Sequence, residues 1–124
     1  MKGRSKVLLI DDDESMRFML SHVLAKDDYD VFPVEDGEKG IQLLSENRFD
    51  AVITDLDMPC FSGFDVIQTV RSRGQFIPII VITGDYSSES EEKALRFGAN
   101  NYLRKPFKID SIRSALSKAV SQVE

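Results

Sequence analysis

Short apolar runs of strand length alternate along the chain with segments whose apolar residues follow helical spacing. The runs lie near residues 6–10, 29–34, 50–54, 77–83 and 100–103, and the last helical segment carries Ile112, Leu116, Ala119 and Val123 on one face. This alternation predicts βαβ units with right-handed crossovers and a parallel sheet. The runs VLLI and IIVI lack period-two alternation, which predicts strands buried on both faces.

The fourth helical segment, Ser88–Phe97, has the weakest apolar pattern of the five. Its first half is rich in Ser and Glu, residues favoured at helix starts, and its main apolar anchors are Ala94 and Leu95. Few anchors leave little to hold a helix in place. We therefore expect this helix to be a mobile element.

Length and composition are those of an ordinary globular protein and argue against several other classes of protein. The 124 residues, 42% of them hydrophobic and 30% charged, predict a single domain over residues 1–124. Apolar runs are too short for a membrane span, and the acidic residues 11–13 interrupt any signal-peptide pattern. The net charge of −5 argues against direct nucleic acid binding. A single cysteine, Cys60, excludes an internal disulfide, and a cytoplasmic location is expected.

Acidic residues follow two of the apolar runs. Asp11 and Asp12 come after the first run, and Asp55 ends the third. Because ligand sites form at the carboxyl ends of parallel strands, we expect these carboxylates to lie side by side. Such a cluster suits Mg²⁺, which prefers oxygen ligands and would relieve the repulsion. The alternative for an Asp after a strand is helix capping, which is the role expected of Asp13.

Three more features of the strand ends suit phosphoryl transfer. Asp55 heads a loop bounded by Pro59 and Gly63, and a carboxylate can attack phosphorus to give an aspartyl phosphate. Thr83 and Lys105 also follow strand-like runs, where a hydroxyl and an ammonium would neutralise the transferring oxygens. The alternative for Asp55 is a turn residue that bonds its own backbone. Taken singly, a threonine such as Thr83 is more often a helix cap or strand-end residue, and a lysine such as Lys105 is more often a solvated surface residue.

The motifs taken together resemble the receiver domain of two-component response regulators. The resemblance covers essentially the whole chain, and its motifs occur in the family's order and spacing. Any one of these motifs would be weak evidence for the family, whereas the full set is highly specific to it. The matching motifs are D-D at 11–12, E-D-G at 35–37, T-D-L-D-M-P at 54–59 with Gly63 behind it, T-G at 83–84, F-G-A-N-N-Y at 97–102 and Y-L-R-K-P-F at 102–107.

The resemblance implies a fold and a function. The fold would be a flavodoxin-like (βα)5 doubly wound α/β sandwich, with a five-stranded parallel sheet of order 2-1-3-4-5. The domain would be a signalling switch rather than an enzyme with turnover, promoting only its own phosphorylation and dephosphorylation. It would accept a phosphoryl group from a sensor histidine kinase or a phosphotransfer protein. Its fourth helix, fifth strand and fifth helix would then control an effector, a missing output domain or a homodimer.

Residue roles also follow from the resemblance. Asp55 would be the phosphoacceptor, and Thr83 and Lys105 would bind the phosphoryl oxygens. Mg²⁺ would be held by Asp12, Asp55 and the backbone carbonyl of Asp57, with Asp11 acting through the metal's waters. Thr83 and Tyr102 would form the switch, and the Lys105–Pro106 bond would be cis. Asp57 and Asp85 occupy positions that tune hydrolysis of the acyl phosphate.

Two residues depart from the family pattern. Cys60 stands where glycine is usual after Met-Pro, which is expected to alter that loop without touching the phosphoacceptor. Pro33 interrupts the second strand, and an edge position for that strand would tolerate it.

Other functions remain open on the residues alone. Asp55-Leu56-Asp57 is similar to the D-x-D motif of haloacid dehalogenase phosphatases, although the acidic pair precedes it here rather than following. A flavin-binding fold is disfavoured because the acidic loop at 11–14 would repel a phosphate. A receiver-shaped module that is never phosphorylated is a further alternative. The single histidine, His22, is expected to be a packed or partly exposed helix residue rather than a phosphohistidine.

Overall fold

The computed structural model describes residues 4–85 and 87–121, in which five β-strands alternate with five α-helices. The elements in chain order are β1 (Ser5–Ile10), α1 (Glu14–Lys26), β2 (Tyr29–Val34), α2 (Gly37–Glu46), β3 (Ala51–Asp55), α3 (Gly63–Ser72), β4 (Ile79–Thr83), α4 (Ser88–Phe97), β5 (Asn101–Arg104) and α5 (Ile109–Ser121).

The strands form one parallel sheet of order β2-β1-β3-β4-β5, which confirms the predicted flavodoxin-like topology. In register, Val7 lies beside Ala51, and Val52 lies beside Ile79. Strand β2 is an edge strand, as expected from Pro33. The carboxyl ends of β1, β3 and β4 therefore meet at the centre of one sheet edge, where the chain reverses its winding direction.

Helices cover both faces of the sheet and bury two apolar clusters. One cluster joins the sheet to residues of α2, α3 and α4, and the other joins it to α1 and α5. Residues 7–10 and 79–82 are fully buried, so the prediction of strands covered on both faces is confirmed. Within the described chain, no helix is long and apolar enough to cross a bilayer.

Strand β4 is shorter than its apolar run predicted. The run begins at Ile77, whereas the strand begins at Ile79. The backbone carbonyl of Ile77 accepts a hydrogen bond of 2.8 Å from Arg71 Nη1. This carbonyl is therefore paired with a side chain rather than with a neighbouring strand.

Helix α4 differs from its predicted apolar face. Ala94 is fully buried, but Leu95 is 44% exposed, so Leu95 is not one of its main anchors and that prediction was wrong. Adjacent helix positions lie far apart around the axis, and here the sheet-facing side falls on Ala94. Val123, placed on the apolar face of the last helix, lies outside the described residues.

Candidate functional site

Three carboxylates meet at the central sheet edge. Asp11 follows β1, Asp55 ends β3, and oxygens of Asp11, Asp12 and Asp55 all lie within 4.8 Å of one another. Asp11 is fully buried and Asp55 is 5% exposed, whereas Asp12 is exposed. The expectation that these side chains lie side by side is confirmed, and the cluster opens to solvent on the side of Asp12.

Backbone amides of the adjoining loops orient the two buried carboxylates. The Asp13 amide donates to Asp11 Oδ1 at 2.8 Å, and the Asp57 amide donates to Asp55 Oδ1 at 3.1 Å. Asp13 itself caps α1 by accepting from the amides of Ser15 and Met16, as predicted. Each carboxylate thus keeps its second oxygen for the interior of the cluster.

Lys105 reaches this cluster from the loop after β5. Its Nζ lies 2.9 Å from Asp55 Oδ2 and 3.2 Å from Asp11 Oδ2. Burial alone would lower the pKa of the Lys105 ammonium, but the hydrogen bonds and charges of Asp55 and Asp11 outweigh burial and raise that pKa. The peptide bond between Lys105 and Pro106 is cis, as the resemblance implied. The ammonium is therefore held as a cation between the two buried carboxylates.

The electrostatics of the cluster favour a bound divalent cation. Burial raises the pKa of the Asp11 carboxyl, and the negative charge of Asp55 adds to this shift, although the Asp13 amide and Lys105 counteract it. Three carboxylates share one ammonium, so the fully ionised cluster keeps a net negative charge. Hard carboxylate oxygens facing a partly open site are the donor set that Mg²⁺ takes in proteins. The residues present fit a magnesium ion.

Thr83 and Tyr102 lie beside the cluster and are linked through the loop after β4. The Thr83 hydroxyl is fully buried, donates to Asp57 Oδ2 at 3.4 Å and accepts from the Asp85 amide at 3.2 Å. The Tyr102 hydroxyl donates to the Asp85 carbonyl at 3.4 Å. Burial, followed by the charge of Asp85, raises the pKa of the Tyr102 phenol. One loop residue, Asp85, thus contacts both predicted switch residues.

The Asp85 side chain itself points toward the start of α4. Its carboxylate accepts a hydrogen bond of 2.6 Å from the Ser90 hydroxyl and one of 2.8 Å from the Ser87 amide. These hydrogen bonds lower the pKa of the Asp85 carboxyl. Ser87 is the N-cap of α4. Asp85 therefore ties the loop after β4 to the first turn of α4.

Gly63 fixes the other side of the Asp55 loop. It opens α3, and its amide donates to the Leu56 carbonyl at 3.1 Å. A Cβ at this position would lie 2.3 Å from the Asp55 carbonyl oxygen and 2.8 Å from the Leu56 Cα. Only glycine allows this close backbone approach. The glycine at position 63 is therefore required for α3 to pack against the backbone of Asp55 and Leu56.

Cys60 adopts a left-handed backbone conformation, with φ of 70°. This explains why glycine is usual at its position, because a Cβ strains the backbone there.

We predict that Cys60→Gly raises the free energy of unfolding by about 0.5–1 kcal/mol, after the greater entropy of the unfolded glycine chain is subtracted. Urea denaturation of both proteins measures this, with Cys60→Ala expected to match the parent. A Cys60→Gly protein less stable than the parent would show that the thiol makes a stabilising contact.

Three charged residues near the site were not singled out from the sequence. Arg17 Nη1 donates to the Asp11 carbonyl at 2.7 Å. Arg104 Nη2 lies 2.7 Å from Glu91 Oε1 and so joins β5 to α4. No helix-spacing rule points to the Arg17 contact, because its partner is the backbone carbonyl of Asp11, six residues earlier, rather than a side chain three or four residues away. No sequence pattern relates Glu91 to Arg104, because their contact depends on tertiary packing.

His22 lies on the exposed side of α1, apart from the acidic cluster. It is exposed, and its ring is parallel to that of Phe18 at 6.3 Å between centroids. Of the two expected positions, packed or partly exposed on a helix, His22 takes the exposed one.

Comparison with known proteins identifies a family for nearly the whole described chain. Residues 7–117 match the family model described as the response regulator receiver domain. The match spans β1 to α5 and includes every residue of the acidic cluster together with Thr83, Tyr102 and Lys105.

Curated relatives are longer than this chain. Response regulator MprA of Mycobacterium sp. (strain KMS) is 36% identical over 107 residues, which are 86% of this chain and 46% of the relative. Cell cycle response regulator CtrA of Brucella ovis is 33% identical over 107 residues, which are again 86% of this chain and 46% of the relative. The chain thus spans about half the length of the curated relatives it matches.

Solved structures agree with the fold over almost their full length. Chemotaxis protein CheY4 of Vibrio cholerae superposes with a TM-score of 0.88 at 34% identity, covering 94% of this chain and 99% of that structure. The receiver domain of the Francisella response regulator 1452 gives a TM-score of 0.93 at 25% identity, covering 98% of this chain and all of the other.

Proposed function

The chain belongs to the family of response regulator receiver domains, the phosphorylation-activated switches of two-component signal transduction, and from this premise we propose that Asp55 is its phosphoacceptor. The observation that carries the proposal is the Asp55 carboxylate, 5% exposed and 2.9 Å from Lys105 Nζ. A carboxylate held beside a cation at the open edge of the sheet is placed to attack phosphorus and to have its product stabilised.

The proposed reaction transfers a phosphoryl group from a phosphohistidine of a sensor kinase or phosphotransfer protein. An Asp55 oxygen attacks phosphorus, a P–O bond forms, and the P–N bond to the donor imidazole breaks. The imidazole leaves with the electron pair and takes a proton from solvent. Hydrolysis of the acyl phosphate by water returns the carboxylate and inorganic phosphate, so the domain resets without acting on other substrates.

We propose that Asp12, Asp55 and the backbone carbonyl of Asp57 hold Mg²⁺, with Asp11 acting mainly through the metal's waters. When bound, the ion would neutralise charge on the acidic cluster and on the transferring phosphoryl oxygens. Lys105, already 2.9 Å from Asp55, would move its ammonium onto a phosphoryl oxygen. Thr83 would turn its hydroxyl from Asp57 to another such oxygen.

The switch follows from the new position of Thr83. Its movement toward Asp55 would vacate space beside β4, and Tyr102 would turn inward to fill that space. The surface formed by α4, β5 and α5 would change as a result. Phosphorylation acts in this scheme by shifting the populations of two conformers.

Two acidic residues are proposed to tune the lifetime of the acyl phosphate. Asp57 lies two residues beyond the acceptor and Asp85 two residues beyond Thr83. The Asp57 carboxylate accepts a hydrogen bond from Thr83, so its charge would lie close to a phosphoryl group bound by Thr83 and would influence attack by water. Asp85, bound to Ser90 and Ser87, would act mainly by positioning the loop after β4.

Partners and location complete the proposal. The cognate kinase would be a sensor histidine kinase, as for two-component systems generally, and the domain would work in the cytoplasm. Its output would be a separate effector, an output domain outside this chain or a homodimer formed through α4, β5 and α5. The relatives are about twice as long as the matched region, which supports an additional output domain.

We predict that the protein takes up one phosphoryl group per chain from acetyl phosphate in the presence of Mg²⁺, and none in excess chelator. Intact-mass spectrometry measures the uptake. In parallel, p-nitrophenyl phosphate with Mg²⁺ tests the haloacid dehalogenase alternative. Stoichiometric phosphorylation without turnover of the ester supports the switch. Sustained release of nitrophenol without a phosphorylated protein would identify a phosphatase instead.

A further inference from the structure

We propose that Asp85 couples the phosphoryl site to α4, by passing a movement of the loop after β4 to the first turn of this helix through its hydrogen bond with Ser90. This coupling rests on the proposed function, in which Thr83 binds a phosphoryl oxygen. It goes beyond that function by assigning Asp85 as a positioning residue for α4. The coupling consists of the Thr83 hydroxyl, the Asp85 amide and carboxylate, and the Ser90 hydroxyl.

The first contact joins Asp85 to the site. The Asp85 amide donates to the Thr83 hydroxyl at 3.2 Å, and Thr83 is fully buried at the end of β4. Thr83 donates its one hydroxyl proton to Asp57 Oδ2 at 3.4 Å. When that hydroxyl turns to a phosphoryl oxygen its lone pairs turn with it, so the Asp85 amide must follow or lose its hydrogen-bond partner. The backbone at Asp85 therefore responds to what Thr83 binds.

The second contact joins Asp85 to α4. Its carboxylate accepts a hydrogen bond of 2.6 Å from the Ser90 hydroxyl and one of 2.8 Å from the amide of Ser87, the N-cap of the helix. A hydrogen bond to an ionised carboxylate is roughly twice as strong as one between neutral groups. Asp85 and Ser90 are both only partly exposed, so water competes less for this bond. A movement of Asp85 is therefore passed to the first turn of α4.

Few other contacts hold the first turn of α4. The one buried residue of the helix is Ala94, in its second half, whereas residues 87–89 are exposed. Arg104 donates to Glu91, which joins the helix to β5 rather than to the loop after β4. With few apolar anchors, the orientation of the first turn depends on such polar contacts. The contact that leads back to the phosphoryl site is the one made by Asp85.

The test compares amide NMR spectra of the full chain before and after saturation with beryllofluoride and Mg²⁺. Signals of residues 55–58 report on the site, and those of residues 90–97 report on α4. In Ser90→Ala and in Asp85→Ala, the signals of the site are expected to respond as in the parent. The shifts of the α4 signals on binding are expected to fall at least about threefold in both variants, because the contact that couples the two regions is lost.

The matched control is Ser88→Ala, which removes an exposed hydroxyl from the same turn of α4 and is expected to keep the parental response. The double variant of Asp85→Ala with Ser90→Ala should lose little more than Asp85→Ala, because both changes remove one contact. A merely structural role for Asp85 would lower thermal stability and leave the α4 response intact, and that result would overturn the coupling.

Ser90→Ala keeps the test decisive if Asp85→Ala fails to fold. A parental α4 response in folded Ser90→Ala would likewise overturn the proposal. If the parent binds beryllofluoride but its α4 signals do not respond, the coupling is rejected while the phosphoryl site stands. If the parent fails to bind beryllofluoride, the proposed function and the coupling are both rejected.

Discussion

Replacing Asp55 with asparagine is expected to reduce Mg²⁺-dependent phosphoryl uptake by at least about 100-fold, because the amide oxygen is a far poorer nucleophile than the carboxylate. The substitution keeps the shape of the side chain and an oxygen that accepts from the Asp57 amide. We therefore expect the fold to persist, and circular dichroism checks this. Phosphorylation by acetyl phosphate, followed by intact mass, measures the loss.

The matched control for this prediction is Asp110→Asn. Asp110 lies in the first turn of α5 with its side chain 93% exposed, so the substitution removes the same charge away from the acidic cluster. It is expected to leave phosphoryl uptake at the parental rate. Undiminished uptake by folded Asp55→Asn would place the acceptor elsewhere.

Gly63→Ala is expected to lower the free energy of unfolding by about 3 kcal/mol, because the added methyl group meets backbone rather than a movable side chain. The new Cβ would lie 2.3 Å from the Asp55 carbonyl oxygen, so α3 and the end of β3 must separate. The better helix propensity of alanine offsets only part of this, at most about 1 kcal/mol. Urea denaturation measures the loss.

The same displacement is expected to slow phosphorylation of Asp55. Asp55 shares its backbone with the strained carbonyl, and a shift of its carboxylate relative to Lys105 is expected to slow phosphoryl uptake roughly tenfold or more. Gly84→Ala is the control for stability, because no described residue other than the two neighbours of Gly84 lies within 4 Å of a Cβ at that position. Equal stability of Gly63→Ala and the parent would contradict the close packing of α3 on β3.

Most of the fold was predictable because its sequence signals are local and redundant. Buried parallel strands produce continuous apolar runs, and the order of strands and helices then restricts the topology. The meeting of Asp11, Asp12 and Asp55 followed from the same logic, since neighbouring parallel strands must end at one edge. The capping role of Asp13 needed only local geometry.

Features that depend on tertiary packing were harder to foresee. Which side of α4 faces the sheet is decided by its neighbours, so Leu95 was wrongly expected to be an anchor. The attachment of Asp85 to Ser90 depends on how the loop after β4 meets α4. The contact of Arg104 with Glu91 joins two elements whose spacing in sequence carries no information about their distance in space. Such contacts decide how the site moves rather than where it lies.

The position of the phosphoryl group itself tests the central claim most directly. Acyl phosphates are reduced by borohydride, which converts a phosphorylated aspartate to homoserine and leaves other aspartates unchanged. After phosphorylation with acetyl phosphate and Mg²⁺, borohydride reduction and peptide mass spectrometry, the account predicts homoserine at position 55. Homoserine at position 11, 12 or 57, or phosphate retained on His22, would contradict it.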